Sequence, residues 1–403
     1  MKPSLAVAFS GGLDTSFLVA WYAELGHPVT AIHVDTGAYD AAALADLEAH
    51  ALALGASSFV SVAGKAPLYD EAIAWLIRGN VLRGQVYPLC VGVERVVQAR
   101  LFAEAALAAG VGILVHGSTG AGNDQVRFDV TLRAVAPEAL VWAPIRDQAL
   151  SRETTAAWLA ERGLGPMQKD AAVSINSGLW GTTAGGRETH DSWLGPTEAS
   201  FPTTTAPESA PKEGCELVIA FEEGLPVAVN GAALTGFEAI EALAKLGAAH
   251  GVGRGVHLGD TILGIKGRVA FEAPAAAILI PAHRELEKLT LTSDQRFWKD
   301  HMANVYGQLV HEAKFLDPLA RDIEAMLLSS QQRVRGEVRV GLRQGSVLVT
   351  GVRSDLSLMA VQKTAYGEHT ELWTGEDARG FTKIAGTSQW LASAAWAAGA
   401  VAK

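Results

Sequence analysis

Near its amino terminus the chain reads Leu5-Ala-Val-Ala-Phe-Ser-Gly-Gly-Leu-Asp-Thr-Ser16, a stretch that few folds accommodate. Five apolar residues read as a buried strand. Ser10-Gly11-Gly12-Leu13-Asp14 reads as a tight turn, and Thr15-Ser16 opens a helix with Phe17, Leu18 and Trp21 on its apolar face. A glycine turn between a strand and a helix N-terminus presents bare backbone N–H groups to an anion. Gly11 and Gly12 let that backbone approach a phosphate closely. No lysine follows the glycines, so the turn is not a Walker A loop. Serine and threonine hydroxyls take the lysine's place, which suits release of pyrophosphate from ATP rather than transfer of its γ-phosphate.

Residues 1 to about 165 alternate strand-like and helix-like patterns at βαβ spacing. Strands are expected at 29–34, 58–62, 111–116 and 140–144, with helices over 41–54 and 94–109. The fold class is therefore α/β, a doubly wound parallel sheet, which binds ligands where loops leave the carboxyl ends of its strands. After Gly163-Leu-Gly-Pro166 the pattern changes. An irregular run from Trp180 to Gly214 reads as a functional loop or linker. Hairpins are expected around Gly224 and Gly345, and helices over 236–250 and 286–311 with a turn at Thr292-Ser293. This second domain is α+β. The last forty residues read as a terminal arm that packs on a neighbouring subunit, strand-like over Gly380–Ile384 and then helical. The expected domains are 1–165, 166–360 and 361–403.

Composition narrows the function. A net charge of −10 over 403 residues argues against a standing nucleic-acid surface, which needs clustered Lys and Arg. Arg333-Val-Arg335 is the one short basic cluster and reads as a solvated strand edge. No apolar run is long enough to span a bilayer. Cys90 and Cys215, the only cysteines, make neither a metal cluster nor a disulfide framework, as expected of a reducing cytosol. Cys90 reads as a small buried residue. The eleven histidines lack metal spacing, and His283 and His311 are expected on helix surfaces.

A second glycine-rich strand end follows at His116-Gly-Ser-Thr-Gly-Ala-Gly-Asn-Asp-Gln-Val-Arg-Phe128. Thr119, Asn123, Asp124 and Arg127 offer a hydroxyl, an amide, a carboxylate and a guanidinium within a few residues. Such a set suits a zwitterionic amino acid, with the carboxylate for an ammonium and the others for a carboxylate or ureido group.

Together the two segments resemble the N-type ATP pyrophosphatases, and within them the argininosuccinate synthase family. Gly251-Val-Gly-Arg254, Gly264-Ile-Lys-Gly-Arg268 and Phe271-Glu-Ala-Pro274 extend the resemblance over nearly the whole chain. It implies an ATP-dependent carbon–nitrogen ligase of arginine biosynthesis. Citrulline is activated as an adenylate with loss of pyrophosphate, and aspartate then displaces AMP. It assigns ATP to Ala8, Phe9, Ser10, Gly11, Gly12, Leu13, Asp14, Thr15 and Ser16, with Val34 at the adenine and Gly117 beside the nucleotide. Aspartate falls to Thr119, Asn123 and Asp124. Citrulline falls to Tyr87, Asn123, Arg127, Ser174 and Thr183, with Asp260 and Phe271 at its α-amino end. Asp14, Asp124 and Arg127 are the candidate catalytic residues. Magnesium (Mg2+) arrives with ATP, without assigned protein ligands. A cytoplasmic homotetramer is expected, with no nucleic-acid or membrane partner. The rival readings are another ligase built on the same loop and a nucleotide-binding homologue without chemistry.

The chain also departs from the family pattern. Gly92 stands for a serine, Ala121 for a common lysine, and Ser174-Ile-Asn-Ser-Gly178 for a Ser-x-Asp-x-Asn segment. Gly259 aligns with the glutamate that faces the citrulline ammonium, and Phe271 with its tyrosine partner. Asp260, one position away, is the expected replacement. The alternatives are compensation by water and Asn176, or a substrate with an uncharged α-nitrogen, such as an N-acylated citrulline.

Overall fold

The structure, a computed structural model, describes residues 2–167, 173–186, 189–362 and 364–401; the side chains of residues 173, 174 and 401 lie outside the description. Residues up to Asp355 form one compact unit, and those from Leu356 onward a second.

The first sheet contains β1 (Leu5–Ala8), β2 (Val29–Asp35), β3 (Ser58–Ala63), β4 (Ile113–Val115) and β5 (Leu140–Trp142), all parallel, in the order β3-β2-β1-β4-β5. Its strands are short apolar runs because helices cover both faces. Leu5 and Val7 pack with Phe17, Leu18, Leu47 and Leu159 on one side. Ala6, Ile32 and Leu114 pack with Phe102, Ala103 and Leu132 on the other. The chain winds outward from β1 in one direction and returns to β4 on its other side. The crevice of a doubly wound sheet opens at that reversal, which places the loops after β1 and β4 next to each other.

Two antiparallel sheets follow. One, ordered β11-β12-β7-β6, comprises β6 (Val173–Gly178), β7 (Gly181–Gly186), β11 (Arg254–Asp260) and β12 (Lys266–Glu272). The other, ordered β10-β9-β8-β13-β14, comprises β8 (Cys215–Glu222), β9 (Leu225–Val229), β10 (Ala232–Ala233), β13 (Gly336–Arg343) and β14 (Ser346–Arg353). Alternate residues Leu217, Ile219 and Phe221 of β8 and Val338, Val340 and Leu342 of β13 are buried, in one cluster with Ile278, Leu279 and Leu286 of helix Pro274–Thr290. Helix Gly236–Ala249 opens on a Thr235/Glu238 capping box, and helix Ser293–His311 on a Thr292/Gln295 one.

Several expectations need correction. The run from Trp180 is not irregular throughout, since Gly181–Gly186 is β7. Its small residues carry too little apolar alternation to show as a strand. Gly380–Ile384 is helical, inside helix Gly375–Ala385. Thr374 accepts from the Asp377 N–H at 3.2 Å while the Asp377 carboxylate accepts from the Thr374 N–H at 2.9 Å, and this cap decides the conformation. In the second unit, Phe381, Ile384, Trp390 and Trp396 are exposed. His283 and His311 are buried, at 0% and 5% exposure, because each finds polar partners from distant segments. His283 meets Asn80 and Gln331, both at 2.7 Å.

Candidate active site

Gly11 holds the first loop in the left-handed region, at φ 72°. A Cβ there would lie 2.7 Å from Leu47 Cδ1, so only glycine fits. The loop is braced by its own hydroxyls. The Thr15 hydroxyl donates to the Gly12 carbonyl at 3.3 Å, and the Ser16 hydroxyl to the Gly11 carbonyl at 3.2 Å. Helix Leu13–Glu24 then starts with no side chain capping it, which leaves its first N–H groups for a ligand. Burial raises the Asp14 carboxyl, against an opposing pull from Arg152.

The second loop meets the first. A Cβ on Gly117 would stand 3.3 Å from Asp14 Cβ and from Thr15 Cγ2. His116 is fixed behind the loop by Asp129 at 2.8 Å, and Arg146 holds the other Asp129 oxygen at 2.8 Å. Thr119 is exposed at the loop surface. Ala8 and Phe9 lead into the first loop. Phe9 and Val34 are themselves buried, at 3% and 7%, so these two side chains support the loops from beneath. Sequence reasoning passed over His33 and Tyr39. His33 Nδ1 meets the Phe9 carbonyl at 3.0 Å, its Nε2 is buried without a partner, and the Tyr39 hydroxyl donates to the Ser10 carbonyl at 3.0 Å.

Asp124 begins helix Asp124–Val135 and sits between two guanidiniums. Arg95 Nε donates to Oδ2 at 3.1 Å and Arg127 Nη1 to Oδ1 at 3.0 Å. Burial pushes its carboxyl up, but the two arginines outweigh that and hold it below the usual aspartate range. Arg95 also donates to Asn176 Oδ1 at 2.8 Å, and Asn123 Oδ1 accepts from the Ile262 N–H at 2.8 Å. The second loop is thereby tied to β6 and to the β11–β12 turn. Beneath Arg95 lies Glu94, 2% exposed, with the Thr36 hydroxyl donating to Oε1 at 2.8 Å and Oε2 unpartnered. Burial raises this carboxyl to about 7.

Cross-strand pairing puts Gly255, Phe271, Thr183 and Asn176 in one row across the β11-β12-β7-β6 sheet. Tyr87 meets the Phe271 ring at 5.3 Å and stacks on His257 at 5.4 Å. Thus Tyr87, Asn123, Asp124, Arg127, Thr183 and Phe271 converge. The Ser174 backbone pairs with Gly185 in β6, and its side chain lies outside the described residues. Asp260 corrects an expectation. Its side chain alternates to the face of β11 opposite Gly255, His257 and Gly259, where the carboxylate binds Lys266 at 2.6 Å. Its carbonyl accepts from Arg83 Nη2 at 2.8 Å and lies 3.1 Å from His311 Nε2, and its carboxylate also feels the Arg83 charge. Arg83, Glu94, His257 and His311 carried no local motif; only the tertiary fold gathers them.

A parallel α/β domain with two glycine loops at its switch point, facing a polar sheet of a second domain, defines a nucleotide-dependent enzyme of the HUP class. Residues 4–165 match the arginosuccinate synthase N-terminal HUP domain, and residues 173–392 the arginosuccinate synthase C-terminal domain. The argininosuccinate synthase of Xanthomonas campestris pv. campestris is 40% identical over 393 residues, covering 96% of this chain and 97% of that protein. Those of Xylella fastidiosa and Chlorobium phaeobacteroides are 38% and 35% identical, each covering 96% of both chains. The chain belongs to the argininosuccinate synthase family.

Proposed function

We propose that the protein joins citrulline to aspartate in arginine biosynthesis, converting ATP to AMP and pyrophosphate. The observation that carries this reading is the contact of the two glycine loops, Gly117 against Asp14 and Thr15, with Asp124 and Arg127 following the second loop and Arg95 reaching Asp124 from helix Cys90–Ala108. The N–H groups and hydroxyls from Ser10 to Ser16 hold the departing pyrophosphate. The ureido oxygen attacks the α-phosphorus, and the bond to the β-phosphate oxygen breaks. The aspartate amine then attacks the ureido carbon, AMP leaves with the bonding pair, and the nitrogen gives up its protons. No protein nucleophile takes part; positioning and charge stabilisation carry the chemistry.

Thr119, Asn123 and Asp124 are assigned to aspartate, and Tyr87, Asn123, Arg127, Ser174 and Thr183 to citrulline. Magnesium enters with ATP as part of the substrate. The reading includes functional divisions at 1–165, 166–360 and 361–403, a cytoplasmic location, and a homotetramer assembled through the terminal arm. It fits a chain in which no described helix is long and apolar enough to cross a membrane. Sustained, multiple-turnover pyrophosphate release that requires citrulline and aspartate together tests it. Sustained release with either amino acid absent would point to another ligase, and no release at all to a nucleotide-binding homologue.

A further inference from the structure

The wall beside Tyr87 is rich in hydrogen-bond donors. His257 stacks on Tyr87 with its Nε2 buried and unpartnered. This nitrogen lies over Gly259, where a Cβ would come within 2.5 Å of it. The imidazole therefore occupies the space that a side chain at 259 would take. Burial and the nearby Arg83 lower the His257 pKa, so the ring is neutral near pH 7 and its Nε2 can take either side of a hydrogen bond. Behind it, Arg83 and Arg127 flank His311; Arg127 Nη2 lies 3.5 Å from His311 Nδ1, and Arg127 Nε is also buried without a partner.

Among the described residues, the carboxylates of this region are either paired or enclosed beneath the wall. Asp124 is held by two arginines, and Glu94 lies beneath Arg95. Asp260 points to Lys266 from the opposite face of its strand, and Glu312 pairs with Lys314 at 2.7 Å. Glu272 accepts from the backbone N–H groups of Thr203 and Thr204 at 3.0 and 2.7 Å. Among the described residues, a substrate ammonium placed here would face two fixed guanidiniums with no free carboxylate beside it. A substrate carboxylate would be matched by the guanidiniums, and an amide by His257.

We infer that this site takes a citrulline acylated on its α-nitrogen in preference to the free amino acid, with the amide read by His257 and the α-carboxylate by the guanidiniums. Acylation removes the positive charge and supplies both a carbonyl acceptor and an N–H donor where the unpartnered imidazole lies. The inference rests on the proposed function, since it concerns the ureido substrate of that same site. The chemistry at the ureido end is unchanged: the oxygen still attacks the α-phosphorus and pyrophosphate still leaves.

The test is pyrophosphate release by the full-length protein with ATP, aspartate and, in turn, citrulline, N-acetylcitrulline or N-succinylcitrulline. The expected result is a kcat/KM at least tenfold higher for one acylated compound than for free citrulline. Equal or better use of free citrulline overturns the inference and leaves the proposed function standing. Turnover with none of the three overturns the proposed function itself, and the inference with it. His257→Ala adds a second readout. It should bring the ratio of acylated to free substrate towards one, mainly through the KM of the acylated compound. An unchanged ratio in a folded variant removes His257 from the recognition.

Discussion

Replacing Glu94 with glutamine should stabilise the fold at pH 8 and have little effect at pH 5. Glu94 is enclosed, and burial is the first cause of its rise from 4.5 to about 7; Asp124 and Asp35 add to it, while Arg95 and Thr36 oppose it. The folded protein therefore binds this proton more tightly than the unfolded chain does. The resulting stabilisation is complete below the unfolded pKa and is lost as the pH rises through 4.5 towards 7. At about 1.4 kcal/mol per unit, the loss between pH 5 and pH 8 comes to about 2–3 kcal/mol. Glutamine keeps an oxygen for the Thr36 hydroxyl and for Gln98, whose Nε2 donates to Oε1 at 2.9 Å, but it cannot ionise. Urea unfolding of both proteins at the two pH values measures the effect. The gap between variant and wild type should widen by about 2–3 kcal/mol from pH 5 to pH 8 with unchanged denaturant slopes. A gap that is the same at both pH values would refute the reasoning, because the enclosed carboxyl would then titrate as it does in the unfolded chain.

The remaining predictions concern both chemistry and assembly. Ser10→Ala or Asp14→Ala should slow pyrophosphate release by ~100–1000-fold, about 2.7–4 kcal/mol of transition-state stabilisation; near-wild-type turnover would detach this loop from ATP. Asp124→Asn should lower net synthesis more than the citrulline-dependent exchange of pyrophosphate into ATP, and equal damage to both would reject its assignment to the aspartate amine. Lys299→Met should cost ~3–5 kcal/mol of unfolding free energy, because Lys299 and Glu287 form a 3.1 Å pair at 0% and 2% side-chain exposure and the buried carboxylate would lose its cationic partner, keeping the neutral donors of Asn80 and Gln331. The double variant with Glu287→Gln should recover part of that loss. A chain ending at Asp355 should give a smaller assembly by light scattering than the full chain, and an unchanged mass would remove the arm from the interface.

What could be read from the sequence was what neighbouring residues decide. The loops after β1 and β4 show themselves because strand, glycines and helix start lie within a dozen residues. The Thr292/Gln295 cap marks its helix start for the same reason. Helix Pro274–Thr290 was read only from Leu286, because an alanine run and the internal Pro281 hide its period. His283 and His311 looked like surface residues because a helical period cannot show how many sides of a helix are covered. Their partners are remote in sequence; Arg127 and His311 lie 184 residues apart.

The same limit governs substrate preference. A motif names the groups a loop carries, but their charge balance is set by what folds onto them. The motif shows Asp124 as a bare carboxylate, and only the fold adds Arg95 and Arg127, one at each of its oxygens. Asp260 would read as a carboxylate moved by one residue. A one-residue step along a strand instead turns the side chain to the other face, where it pairs with Lys266, while its carbonyl accepts from Arg83. The first glycine loop depends on backbone N–H groups and glycine conformations that sequence specifies locally. The end of the site beside Tyr87 depends on Arg83, His257 and His311, brought from three separate segments.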